Sequence, residues 1–193
     1  MARKIVASGP SAPNEDEDMP LRPLHCLVAA VALLPPAAGA EVTLAAPDAL
    51  VIEHRFAIAA TPEVAWGALV HPERYWPDAH TWSGKAANMS LTPEAGGCFC
   101  ERWDGASVEH GRVIMAIPGR LLRLRGSLGP FQEMAVAGVL TVKLAPVESG
   151  TEAVVTYRMS GDASHRLADM ASVVDPVIRE QFAGFAALAA APR

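Results

Sequence analysis

Apolar and polar residues alternate over residues 50–58. Leu50, Ile52, His54, Phe56 and Ile58 fall on one face, Glu53 and Arg55 on the other, which is the period-two pattern of a half-buried strand. Thr61-Pro62-Glu63 then opens a helix, with Thr as N-cap and Pro at the first helical position. Ala65, Trp66, Leu69 and Val70 form its apolar stripe. His71-Pro72-Glu73 restarts the chain as a second short helix that ends near Trp76-Pro77. Residues 85–91 read as a weak strand and 93–97 as a turn. Five extended runs follow over 98–103, 108–117, 120–126, 134–144 and 151–160, punctuated by Asp104-Gly105, Pro118-Gly119 and Glu148-Ser149-Gly150.

From 167 to 190 the period changes. Met170, Val174, Val177, Gln181, Phe185 and Leu188 recur at steps of three and four, one wide helical stripe. Pro176 inside it predicts a kink, or a restart capped by Asp175. The order is therefore strand, two short helices, six strands, one long helix. Short connections make the later strands an antiparallel meander. The predicted class is α+β: a curved seven-stranded antiparallel sheet wrapped on a long C-terminal helix, with two short helices after the first strand. This layout leaves a hollow between sheet and helix.

The first forty residues follow another logic. Glu15-Asp16-Glu17-Asp18 is a solvated acidic run between prolines, so residues 1–18 read as a disordered leader or as a start site placed upstream of Met19. Arg22, the apolar run 26–34 and the small residues Ala38-Gly39-Ala40 describe a secretory signal over 19–40, cleaved after Ala40. The run is too short to span a bilayer, which takes about 20 residues, so no stable membrane insertion is expected after cleavage. Residues 41–48 read as a linker and 49–190 as the domain. The protein is then periplasmic or secreted. An alanine-rich cytosolic leader is the alternative, and it makes the protein cytoplasmic.

Composition narrows the function classes. The chain has 193 residues, 16 Lys and Arg against 21 Asp and Glu, and a net charge of -5. Nucleic-acid binding is disfavoured, because Arg120, Arg123 and Arg125 are the nearest approach to a basic patch, with Arg123 and Arg125 on a solvated outer face. Three cysteines exclude a disulfide framework. Dinucleotide, P-loop, nucleophile-elbow and zinc-protease motifs are missing from the sequence, and no cofactor is expected.

The element order, with ATPEVAWGALVHPERYW (60–76), GGCFCERW (96–103), VEHGRVIMAIPGRLLRLRG (108–126) and the terminal helix, resembles the SRPBCC superfamily, also called START-like or Bet v1-like. It is most similar to the bacterial branches of polyketide cyclase/dehydrases and of homologues of the activator of Hsp90 ATPase. The resemblance covers about residues 50–190. It implies a helix-grip fold with a pocket for small apolar or amphipathic ligands, but no single reaction, since members include carriers, receptors, cyclases and co-chaperones.

The candidate site residues divide by chemistry. Cys98 and Cys100 share a strand face; a disulfide at that spacing is strained, two thiols without a convergent His make a poor metal site, and buried free thiols are expected. Glu101 and His110, diagonal neighbours across a hairpin, form a candidate acid–base pair or a polar pair that orients the hairpin. His54 is expected to be a hydrogen-bonded core residue. Trp66, Tyr75, Trp76, Trp82, Phe99 and Trp103 concentrate the aromatic mass; Tyr75, Trp76 and Trp82 suit a cavity entrance. Met115, Phe131 and Met134, with Val174 and Ile178 of the long helix, complete the expected lining. Three functions follow: an exported, non-catalytic carrier of a small hydrophobic ligand, which is favoured; a cyclase or dehydratase moving protons through His110 and Glu101; and an Hsp90-type co-chaperone, which an exported chain argues against.

Overall fold

A computed structural model describes Gly9 and residues 40–192. The expected leader over 1–18 and the signal segment over 19–40 lie outside the described residues, apart from Gly9 and Ala40. All described elements belong to the unit Pro36–Arg193, apart from Gly9.

Strands β1 (Ala40–Ala46) and β2 (Ala49–Ile58) form a hairpin. Helix α1 (Pro62–Leu69) follows, and its Thr61 cap accepts from the Val64 amide as the sequence predicts. The expected second helix is a single 3-10 turn, Pro72–Arg74. Short 3-10 turns at Asp78–His80 and Ala86–Asn88 lead to β3 (Met89–Leu91). Then come β4 (Cys98–Trp103), β5 (Ala106–Ile117), β6 (Leu121–Arg125), β7 (Ala137–Val147) and β8 (Gly150–Ser160). Asp104 and Gly105, both at positive φ, close the β4–β5 turn, as a two-residue hairpin requires. Helix α2 (Ala171–Ala190) ends the chain, after a 3-10 turn over Leu167–Met170.

The sheet has eight strands in the order β1-β2-β8-β7-β6-β5-β4-β3, every neighbouring pair antiparallel. The eighth strand corrects the expected seven: β1 occupies most of the segment read as a linker. Its AEVTLAA carries little apolar contrast, and Val42 and Leu44 stay exposed, so periodicity could not announce it.

α2 lies across the concave face and buries Val174, Ile178, Phe182, Phe185 and Ala189. The core they join includes Leu50, Ile52, Leu124, Leu140, Val155 and Tyr157. Pro176 neither caps nor restarts the helix. Only the bond to the carbonyl of Ser172 is lost, and Ser172 is exposed to water. Asp175 instead turns its carboxylate toward His54, with Nε2 and Oδ1 3.1 Å apart.

Two bulges shape the middle of the sheet. Phe99 pairs with Gly111 and Cys100 with Glu109, leaving His110 as the extra residue of β5. Val113 pairs with Leu124 and Met115 with Arg123, leaving Ile114 over. Each bulge resets the in–out alternation of the strand that carries it.

Candidate functional site

The hollow beneath α2 has two parts. Toward the C-terminal half of the helix it is filled: Tyr75, Phe99, Leu122, Leu124, Leu140, Val142 and Phe182 close up around a void of about 10 Å³. Toward the N-terminal half it opens into a cavity of about 390 Å³, within the usual range for small-molecule sites, roughly 300–1,000 Å³. Val174, Val177, Ile178 and Gln181 of α2 form one wall. Trp76, His110, Phe131 and Tyr157 face them. The 79–82 loop, Pro130 and Val173 lie around the rim.

Each wall has a local cause. Trp76 is buried in the inner wall, its indole N–H donating to the His80 carbonyl at 3.1 Å, which ties down the 78–82 loop. Trp82 stands at the mouth, half exposed. The Tyr157 hydroxyl donates to the Gly126 carbonyl at 3.2 Å and accepts from the Leu128 amide at 3.0 Å, fixing the segment that leads to Phe131. Burial pushes its phenol up to about 12, so it stays a neutral donor.

The polar centre is Glu101 with His110. Glu101 is wholly buried and accepts three hydrogen bonds: from the Trp82 amide at 3.0 Å, the Ser83 amide at 2.5 Å and His110 Nε2 at 3.1 Å. Burial alone would push its carboxyl up. The bonds from Ser83, Trp82 and His110 outweigh that and hold it below the usual carboxylate range. Burial lowers His110, partly offset by Glu101. The pair is therefore a carboxylate and a neutral imidazole near pH 7. A carboxylate only accepts, so Nε2 carries the proton and Nδ1 the lone pair. A lone pair held in this way can orient a ligand or accept a proton.

The structure brings Trp76, Trp82, His110, Phe131, Val174 and Ile178 to the cavity, with Glu101 directly behind His110. It does not bring the other expected lining residues there. Tyr75 turns its hydroxyl to the Leu69 carbonyl and its ring to Phe185. Phe99 lies in the filled half, packed on Trp76 and on His110, with centroids 5.3 and 5.2 Å away. Trp66 packs on the core from α1, Trp103 ends the β4 hairpin, and Met134 packs on the core beyond Phe131. Met115 is on the opposite face of the sheet, because the Ile114 bulge turns it outward beside Arg123.

The cysteine reading is also corrected. Cys98 and Cys100 are joined as a disulfide. Their Cα atoms are 5.4 Å apart, within disulfide range. Among the described residues no group of three His, Cys, Asp or Glu side chains converges as a metal site. His54 is buried in the core, with its Nε2 facing Asp175 Oδ1 at 3.1 Å, while the expected hydrogen bond is not formed. Gln181, Tyr157 and His80 were not singled out as site residues. For Gln181 a signal existed: it is the one amide in an otherwise apolar helical stripe.

An antiparallel sheet gripping one long C-terminal helix defines a helix-grip protein, in line with the SRPBCC-like resemblance. Three solved structures share the architecture. A protein from Rhodobacter sphaeroides is 24% identical with a TM-score of 0.53, over 78% of this chain and 97% of its own. One from Rhizobium leguminosarum is 18% identical with a TM-score of 0.53, over 74% and 95%. The di-domain ARO/CYC StfQ of the steffimycin biosynthetic pathway is 12% identical with a TM-score of 0.52, over 74% of this chain and 51% of its own. No family model and no curated protein matches the chain.

Proposed function

We propose that this chain binds a small hydrophobic or amphipathic molecule in the cavity between α2 and the sheet, as an exported, non-catalytic carrier of the SRPBCC type. The observation that carries the reading is the cavity itself: an apolar chamber of about 390 Å³ with aromatic walls and one oriented polar pair. Binding would come from desolvation, roughly 0.8 kcal/mol per buried methylene. Export rests on the N-terminal sequence pattern. Native mass spectrometry of the purified chain tests the carrier reading, by a co-purifying apolar compound that Ile178→Trp, which fills the cavity, expels. A chain that carries no such compound and takes up no apolar probe would refute it.

A second reading has one specific observation in its favour. The Glu101–His110 pair is built as a general base on a cavity wall, and StfQ, with the same architecture, is an ARO/CYC. On that reading His110 takes a proton from the substrate and Glu101 stabilises the imidazolium. His110→Ala would then abolish turnover of a polyketide-like substrate while leaving its affinity nearly unchanged.

A further inference from the structure

Gln181 does not fit an apolar wall. It is 4% exposed, lies on the cavity, and its side-chain oxygen has no hydrogen-bond partner among the described residues. A buried polar atom left without a partner costs about 1–3 kcal/mol. Nothing in the packing requires an amide here, since its stripe neighbours Val174, Val177 and Ile178 are aliphatic. A leucine or methionine would fill the position without that cost, so the amide marks a place where a ligand supplies the missing bond.

The charges around the cavity say which ligand. Among the described residues its lining contains no Lys or Arg. Glu133 is at the rim and the Glu101 carboxylate lies behind His110. His80, the other imidazole of the lining, is already engaged by Glu180 at 3.0 Å. A carboxylate ligand would meet like charge and no counter-ion. A hydroxyl meets none of these objections: it both donates and accepts, so it satisfies the amide whichever way the amide is turned.

We propose that the cavity selects neutral, hydroxyl-bearing apolar molecules (alcohols or phenols) by seating the hydroxyl on the Gln181 amide, and rejects the corresponding carboxylic acids. This deepens the binding reading above and rests on it.

The test titrates the full chain near pH 7 with naphthalene, 2-naphthol and 2-naphthoate, read by tryptophan fluorescence from Trp76 and Trp82. The phenol is neutral there and the carboxylate ionised. 2-Naphthol is expected to bind about tenfold tighter than naphthalene, one hydrogen bond's worth, and 2-naphthoate weaker than either. Gln181→Met should abolish naphthol's advantage over naphthalene and raise Tm, because the orphan is gone. Equal binding of naphthol and naphthalene by the native chain, or naphthoate as the tightest ligand, overturns the hydroxyl selection but leaves the apolar cavity standing. If none of the three binds, the binding reading falls and the selection with it.

Discussion

His110 reaches Glu101 from a bulge: it is the one residue of β5 without a partner between Gly111 and Glu109, and its Nε2 lies 3.1 Å from Glu101 Oε2. The same carboxylate holds the amides of Trp82 and Ser83. One buried charge thus orients the cavity's imidazole and fastens its rim. Glu101→Gln keeps the shape but presents an NH2 group to at least one of three donors. It should destabilise the fold by about 3 kcal/mol and free the loop that carries Trp82. A lowered urea midpoint together with red-shifted tryptophan emission is the expected result.

Stability should fall on acidification, beginning near neutrality. Burial lowers both His54 and His110 from their ordinary value of 6.5, although Asp175 and Glu101 pull the other way. Well above that value both histidines are neutral, folded or unfolded, and contribute nothing. As pH falls through it, the unfolded chain takes up protons that the native state refuses, and stability drops. Glu101 adds a second loss below its ordinary 4.5, because the folded carboxyl stays ionised after the unfolded one has been protonated. Tm should therefore be flat between about pH 7.5 and 8 and decline progressively from about 6.5 downward. His54→Leu should flatten the first part of that decline, and a Tm that rose toward pH 5 would contradict it.

Gly138 supports the cavity from the side. A Cβ at this position would meet the Gly126 carbonyl oxygen at 2.2 Å and the Tyr157 hydroxyl at 2.8 Å. That hydroxyl pins the segment running from Gly126 to Phe131. Gly138→Ala should cost more than about 2 kcal/mol and weaken binding of an apolar probe, although Gly138 does not itself line the cavity. Chemical denaturation and a probe titration on the same variant check both parts.

Much of the architecture was legible because its signals are local. The alternation in β2, the Thr61 cap, the Asp104-Gly105 turn and the stripe of α2 each follow from a few neighbouring residues. The cavity was legible only in part. Trp76, Trp82, Phe131, Val174 and Ile178 could be named, but periodicity does not mark a bulge. Period two therefore places Met115 inward, and the extra residue at Ile114 turns it out. Phe99 and Tyr75 are apolar enough for either half of the hollow, and only three-dimensional packing decides that they fill it. β1 carries too little apolar contrast to register. The disulfide joins two neighbours on one strand face, a spacing at which strain argues against the bond.

The proposed occupancy of the open space under the N-terminal half of α2 by an apolar guest can be read by NMR of the methyl and indole groups while 2-naphthol is titrated in. Shifts are expected at Val174, Val177, Ile178 and the Trp76 and Trp82 indoles alone, with Leu44, Ile114 and Met115 on the outer face unmoved. Shifts centred on that outer face, or a spectrum unchanged at saturating probe, would contradict it.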